Sequence, residues 1–139
     1  MTEPVRETQD MIAGMSPSLD PQRWCFVTIA DQGQAFALMP HALATFREQE
    51  GLSLIVPQEA AHEAGMEAES YARITLQVHS ALDGVGLTAA VATALADAGI
   101  ACNMVAAFHH DHAFVPAEQA EEALGILGAL SRSAGAAQG

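Results

Sequence analysis

The spacing of apolar positions changes several times along the chain, and each change predicts an element. In ETQDMIAGM (7–15), Met11, Ile12 and Met15 fall on one side of a short helix. Ser16-Pro17 ends it, because a residue before proline avoids the helical region, and the helix is expected to cap an edge. WCFVTI (24–29) is an unbroken apolar run between Pro21 and the turn Asp31-Gln32-Gly33, the pattern of a strand covered on both faces. ATF and LSLIV flank REQEG, where Gly51 supplies the positive φ of a hairpin turn and gives a second and third strand. PQEAAHEAG (57–65) opens on proline and closes on glycine, a short helix.

RITLQVHS (73–80) alternates, with Ile74, Leu76 and Val78 on one face and Thr75, Gln77 and His79 on the other. Leu87, Val91, Ala94, Leu95 and Ala98 then keep helical spacing, and Gly99 stands where a helix-ending glycine belongs. IACNMVAAFHH predicts a strand and DHAFV another, with Asp111 near the turn between them. Ala120, Ala123, Leu124, Leu127 and Leu130 trace the buried stripe of a last helix, with Glu118, Gln119, Glu121 and Glu122 in its solvated first turn. SRSAGAAQG at the end reads as a loose tail.

Two stretches repeat: IVPQEAAHEAG (55–65) and FVPAEQAEEAL (114–124) share apolar-Val-Pro-x-Glu followed by alanines, at an offset of 59 residues. In each a strand runs through proline into a helix, preceded by a hairpin partner and, earlier, a lone strand. The interval after the first lone strand is about ten residues shorter, nearly one short helix. The reading is two related βαββα-type modules, the first having lost much of its first helix.

Composition narrows the function. Of 139 residues half are hydrophobic and 16% charged, which suits a packed chain. Seventeen acidic residues against five arginines give a formal charge of −12, a field that repels phosphate backbones and anionic lipid. Nucleic-acid and membrane partners are therefore not expected. The acidic N-terminus MTEPVRETQDM lacks the form of a signal peptide and no long apolar run follows, so a cytoplasmic location is expected. Cys25 and Cys102 lie far apart without C-x-x-C spacing and read as buried free thiols. The chain has no lysine, which excludes P-loop, Schiff-base and lysine-nucleophile chemistry, and G-x-S-x-G, H-E-x-x-H and a complete G-x-G-x-x-G are also missing. No enzyme activity and no cofactor are expected.

Residues 70–130, with RITLQVHSALDGVGLTAAVATALADAGIACNMVAAFHHDHAFVPAEQAEEAL at their centre, resemble an ACT domain, and TFREQEGLSLIVP (45–57) is similar to the companion segment of an N-terminal module. The similarity extends to small stand-alone bacterial ACT proteins and to CASTOR-type amino-acid sensors. It implies an α+β, ferredoxin-like ACT fold of tandem βαββα-type modules, with antiparallel sheets packed by helices. The expected division is a degenerate N-terminal module at 1–69, a C-terminal ACT domain at 70–131 and a flexible tail at 132–139. No fourth strand follows the last helix, so the modules are expected to complete each other's sheets. A regulatory role follows from the resemblance: an amino acid held at the junction of modules or of two chains, in a homodimer.

The implied ligand loop is Leu82, Asp83, Gly84, Val85, Gly86, Leu87 and Thr88, with Asn103 on a central strand reading a polar group. Gly84 and Gly86 let backbone N–H groups approach a ligand, and the helix start behind them favours a carboxylate. Asp83 suits an ammonium group; it equally suits a helix cap. His79, His109, His110, Asp111 and His112 carry an alternative reading, a metal-binding protein or metal-dependent enzyme, although strand alternation would send His109 and His110 to opposite faces. His79-Ser80 resembles a base and nucleophile only by adjacency. A purely structural dimerisation module is a third reading. Arg47 and Arg73 each suit a carboxylate clamp or a surface ion pair.

Overall fold

Over residues 7–78 and 85–138, which the computed structural model describes, the elements run α1 (Thr8–Ala13), β1 (Pro17–Ile29), α2 (Gln32–Leu38), β2 (Ala44–Glu48), β3 (Gly51–Pro57), α3 (Gln58–Glu63), β4 (Tyr71–Leu76), α4 (Leu87–Asp97), β5 (Asn103–Ala106), β6 (Asp111–Pro116) and α5 (Ala120–Gln138), with short 3₁₀ turns at Met39–His41 and Ala117–Gln119. They form two compact units, each a ferredoxin-like βαββα module. The first unit spans Pro21–Tyr71; the second joins the chain up to Asp20 to the chain from Ala72 onward. Met11 and Met15 are fully buried in one core with Val91 and Leu127, so α1 packs against α5 and α4 instead of capping an edge.

In the first unit the strand order is β2-β3-β1, antiparallel, with Val27 opposite Leu54 and Thr45 opposite the same residue on the other side. Cys25, Ile29, Leu54 and Val56 point into the core beneath Leu38 of α2 and Ala61 of α3. The run WCFVTI is covered on both faces only at its start, where Trp24 and Cys25 are both buried. Val27 and Ile29 pack inward, whereas Thr28 is exposed and Phe26 lies half open, edge-on to Tyr71 with ring centroids 5.2 Å apart. Helix α2 replaces the expected turn. Asp31 caps it, its carboxylate accepting the Gln34 N–H at 2.8 Å, so the first helix of this module is shortened to seven residues but retained. Gly51 opens β3 at φ +152°, where a Cβ would stand 2.8 Å from the Ile29 carbonyl oxygen. Only glycine fits that approach.

In the second unit β4-β6-β5 are consecutive neighbours, and the start of β1 lies on the other side of β4, in the fourth-strand position. Ile74, Leu76 and Val78 are buried while Gln77 is exposed, as alternation required. Helix α4 ends in a Schellman motif. The Ile100 N–H donates to the Leu95 carbonyl and the Gly99 N–H to that of Ala96, both at 2.9 Å, with Gly99 at φ +76°. Helix α5 continues to Gln138; Ala134 is buried and the Ser131 hydroxyl donates to the Ala13 carbonyl at 2.8 Å. Alanine and serine tolerate a helix well once a neighbour covers one face.

The repeat is visible in the backbone. Pro57 and Pro116 each end a strand and stand directly before a helical turn, with φ of −56° and −52°, and each follows three buried residues: Leu54-Ile55-Val56 and Ala113-Phe114-Val115.

Candidate functional site

Of the expected ligand loop, Leu82, Asp83 and Gly84 lie outside the described residues, as do His79 and Ser80. Gly86 takes up φ +106° at the start of α4, and a Cβ there would meet Thr8 Cγ2 at 2.7 Å. Thr8 also donates its hydroxyl to the Val85 carbonyl. The glycine therefore serves close packing of α1 on the loop end. Leu87 is buried in the core, whereas Val85 and Thr88 are exposed. Asn103 is exposed as well, and its strand β5 is an edge of the order, not a central strand. Edge placement follows from the hairpin: β6 takes the inner position beside β4 with its buried Ala113-Phe114-Val115.

The His-His-Asp-His segment is divided by the hairpin. His109 and His110 stand in the turn before β6, where the Ala107 N–H donates to the His110 carbonyl at 3.0 Å, instead of alternating on a strand. His109 packs edge-on against Phe108 at 5.0 Å, and His110 Nδ1 is buried without a hydrogen-bond partner among the described residues. His112 begins the inward course of β6, its Nδ1 3.0 Å from the Thr75 hydroxyl. Burial holds the His112 imidazole below its ordinary pKa, aided by Arg73 and His110 and opposed by Asp111. Among the described residues no group of three or more His, Cys, Asp or Glu side chains is placed to hold a metal ion. Cys25 is buried and Cys102 half-buried; both are free thiols with pKa raised by burial.

The two arginines have different fates. Arg73 donates to Asp20 through Nη2 at 2.9 Å and Nε at 3.2 Å, the ion pair that its acidic surroundings favoured. Arg47 forms no ion pair or hydrogen bond among the described residues and projects beside a groove in the first unit. The groove has a volume of about 650 Å³. One wall is a stripe at helical spacing, Gln32, Ala35 and Phe36 of α2 with Met39 of the 3₁₀ turn that follows; the other is the edge strand β2 with Thr45 and Arg47. Ile29 and Leu52 form its floor. The groove exists because α2 has only seven residues and leaves the hairpin end of the sheet uncovered. Its signal in the sequence was the pair Asp31 and Gln34 at capping-box spacing followed by that apolar stripe, obscured by Gly33 between them.

No helix among the described residues is long and apolar enough to cross a membrane. Residues 4–73 and 70–129 each match a family model described as ACT domain. A Vibrio cholerae protein of unknown function, described as a possible transport protein, is 42% identical, with 88% of this chain and 94% of that chain covered and a TM-score of 0.78. The regulatory subunit of aspartate kinase from Thermus thermophilus shares the fold at 16% identity, over 82% of this chain and 95% of that one, with a TM-score of 0.61. An Agrobacterium tumefaciens protein does so at 18% identity, over 78% and 81%, with a TM-score of 0.62. No curated protein matches the chain.

Proposed function

The chain belongs to the ACT-domain family, and from that membership we propose a non-catalytic regulator that binds an amino acid through the loop from Leu82 to Thr88. ACT modules in general mediate regulation through small-molecule binding. The observation that carries the reading is the match of two ACT models in tandem across residues 4–129. In the proposed site Asp83 receives the ammonium group, and the start of α4 behind Gly86 favours the carboxylate. Exposed Val85 and Thr88 are available for contact, while Leu87 anchors the loop in the core. Asn103 is retained as a second polar contact. The protein acts as a homodimer, for which the edge strands β2 and β5 offer outer backbone groups to a second copy. Ligand binding then shifts the equilibrium between two states by its differential affinity for them.

The test is isothermal calorimetry of the protein against the twenty common amino acids at millimolar concentration, with sedimentation velocity in parallel. One amino acid is expected to bind, with affinity reduced at least tenfold by Asp83→Ala. Absence of binding by every amino acid would refute the reading and leave a dimerisation module, which predicts a dimer indifferent to all of them.

A further inference from the structure

We infer that the groove beside α2 in the first unit is a second ligand site, which takes a small apolar monocarboxylate. It lies within one unit and stands whether or not an amino acid binds the loop before α4.

Size, lining and charge carry the argument. A volume of about 650 Å³ falls in the ordinary range of small-molecule sites, roughly 300–1,000 Å³. Phe36 is 76% exposed and Met39 45% exposed, large apolar side chains that the fold leaves in water on the groove wall. Ile29 and Leu52 extend that apolar surface across the floor. A ligand tail that covers Phe36 and Met39 gains the free energy of removing them from water.

Charge chooses the head group. Arg47 shares the helix-covered face of the hairpin with Leu52 and Leu54, so its guanidinium rises at the groove's edge and not on the opposite face with Phe46. It has no acidic partner among the described residues, in a chain with seventeen acidic residues and five arginines. The neighbouring Glu48 also lines the groove, but alternation along β2 puts its side chain on the opposite face with Phe46, where its carboxylate accepts the Ser53 hydroxyl. A guanidinium fork held beside an apolar groove matches a carboxylate through two parallel hydrogen bonds. A neutral ligand would leave that cation unmatched, and a second carboxylate would find no further cation among the described residues of the lining.

The experiment is a ¹⁵N NMR titration of the full chain with 3-phenylpropionate, set against its neutral amide. Saturable shifts confined to residues 29–52 are expected with the acid, and at least tenfold weaker binding with the amide. Arg47→Gln should weaken the acid roughly tenfold or more, with Arg47→Lys intermediate. Phe36→Ser, at an exposed position, should weaken acid and amide alike while the rest of the spectrum is unchanged. Equal binding of acid and amide, shifts indifferent to Arg47→Gln, or no saturable shift at 10 mM acid (about 4 °C to 25 °C) would each overturn the proposal. So would a dimer that Phe36→Asp converts to monomer, because the groove would then be an interface between copies. Shifts at residues 85–88 with an amino acid report on the other site and leave this result unaffected.

Discussion

Replacing Gly86 by alanine tests whether this glycine serves packing, as its surroundings indicate. Its φ of +106° lies where an L-residue is strained, which costs about 1–2 kcal/mol. The new Cβ would also stand 2.7 Å from Thr8 Cγ2 and 3.0 Å from Thr8 Oγ1, inside normal contact. Thr8 can turn away only by giving up its hydrogen bond to the Val85 carbonyl, a further ~1 kcal/mol. The sum is about 2–3 kcal/mol of lost stability, a large part of an ordinary domain's margin. A double-mutant cycle with Thr8→Ala separates the parts. Thr8→Ala alone should cost about 1 kcal/mol, and in the Gly86→Ala background it should cost nothing further or restore a fraction, because the clash is gone. The strain of about 1–2 kcal/mol should remain in the double variant. The assay is urea unfolding followed by far-UV circular dichroism. Additive single effects, or a Gly86→Ala variant within 0.5 kcal/mol of the parent, would refute the packing account.

Leu127→Ala should cost about 2–5 kcal/mol in the same assay, since Leu127 is fully buried among Met11, Met15 and Val91; a value below 1 would contradict the shared core. Removing residues 131–139 should lower the melting temperature, because it deletes the Ser131 bond to Ala13 and the buried Ala134; an unchanged melting curve would support the loose-tail reading. His112 has a folded pKa below its unfolded value, so the unfolded chain takes up the proton first and stability falls as pH drops below about 6.5. His112→Gln should flatten that slope between pH 7 and the lowered folded pKa, measured by melting temperature in a buffer series. An unaltered slope would mean that His112 does not titrate as its burial requires.

Elements whose stabilising contacts lie within a few residues were legible in the sequence. The Gly99 Schellman motif, the positive φ of Gly51, the alternation of β4 and the paired prolines at 57 and 116 all rest on local backbone geometry. The ACT resemblance likewise followed from motif order, which the tandem family matches bear out. What tertiary structure alone decided depends on distant partners. α1 joins the second unit because Met11 and Met15 find Val91 and Leu127, residues far along the chain. The end of α5 is helical because Ala13 supplies a partner for Ser131 across 118 positions, which no local propensity encodes. Phe26 stays half open because the core of the first unit claims the other face of β1. The fate of the arginines shows the same limit: both sat among acidic residues in the sequence, yet Arg73 met Asp20 and Arg47 was left beside a groove made by a short helix. Periodicity reports which face of an element is apolar; which neighbour covers that face is a property of the packed chain.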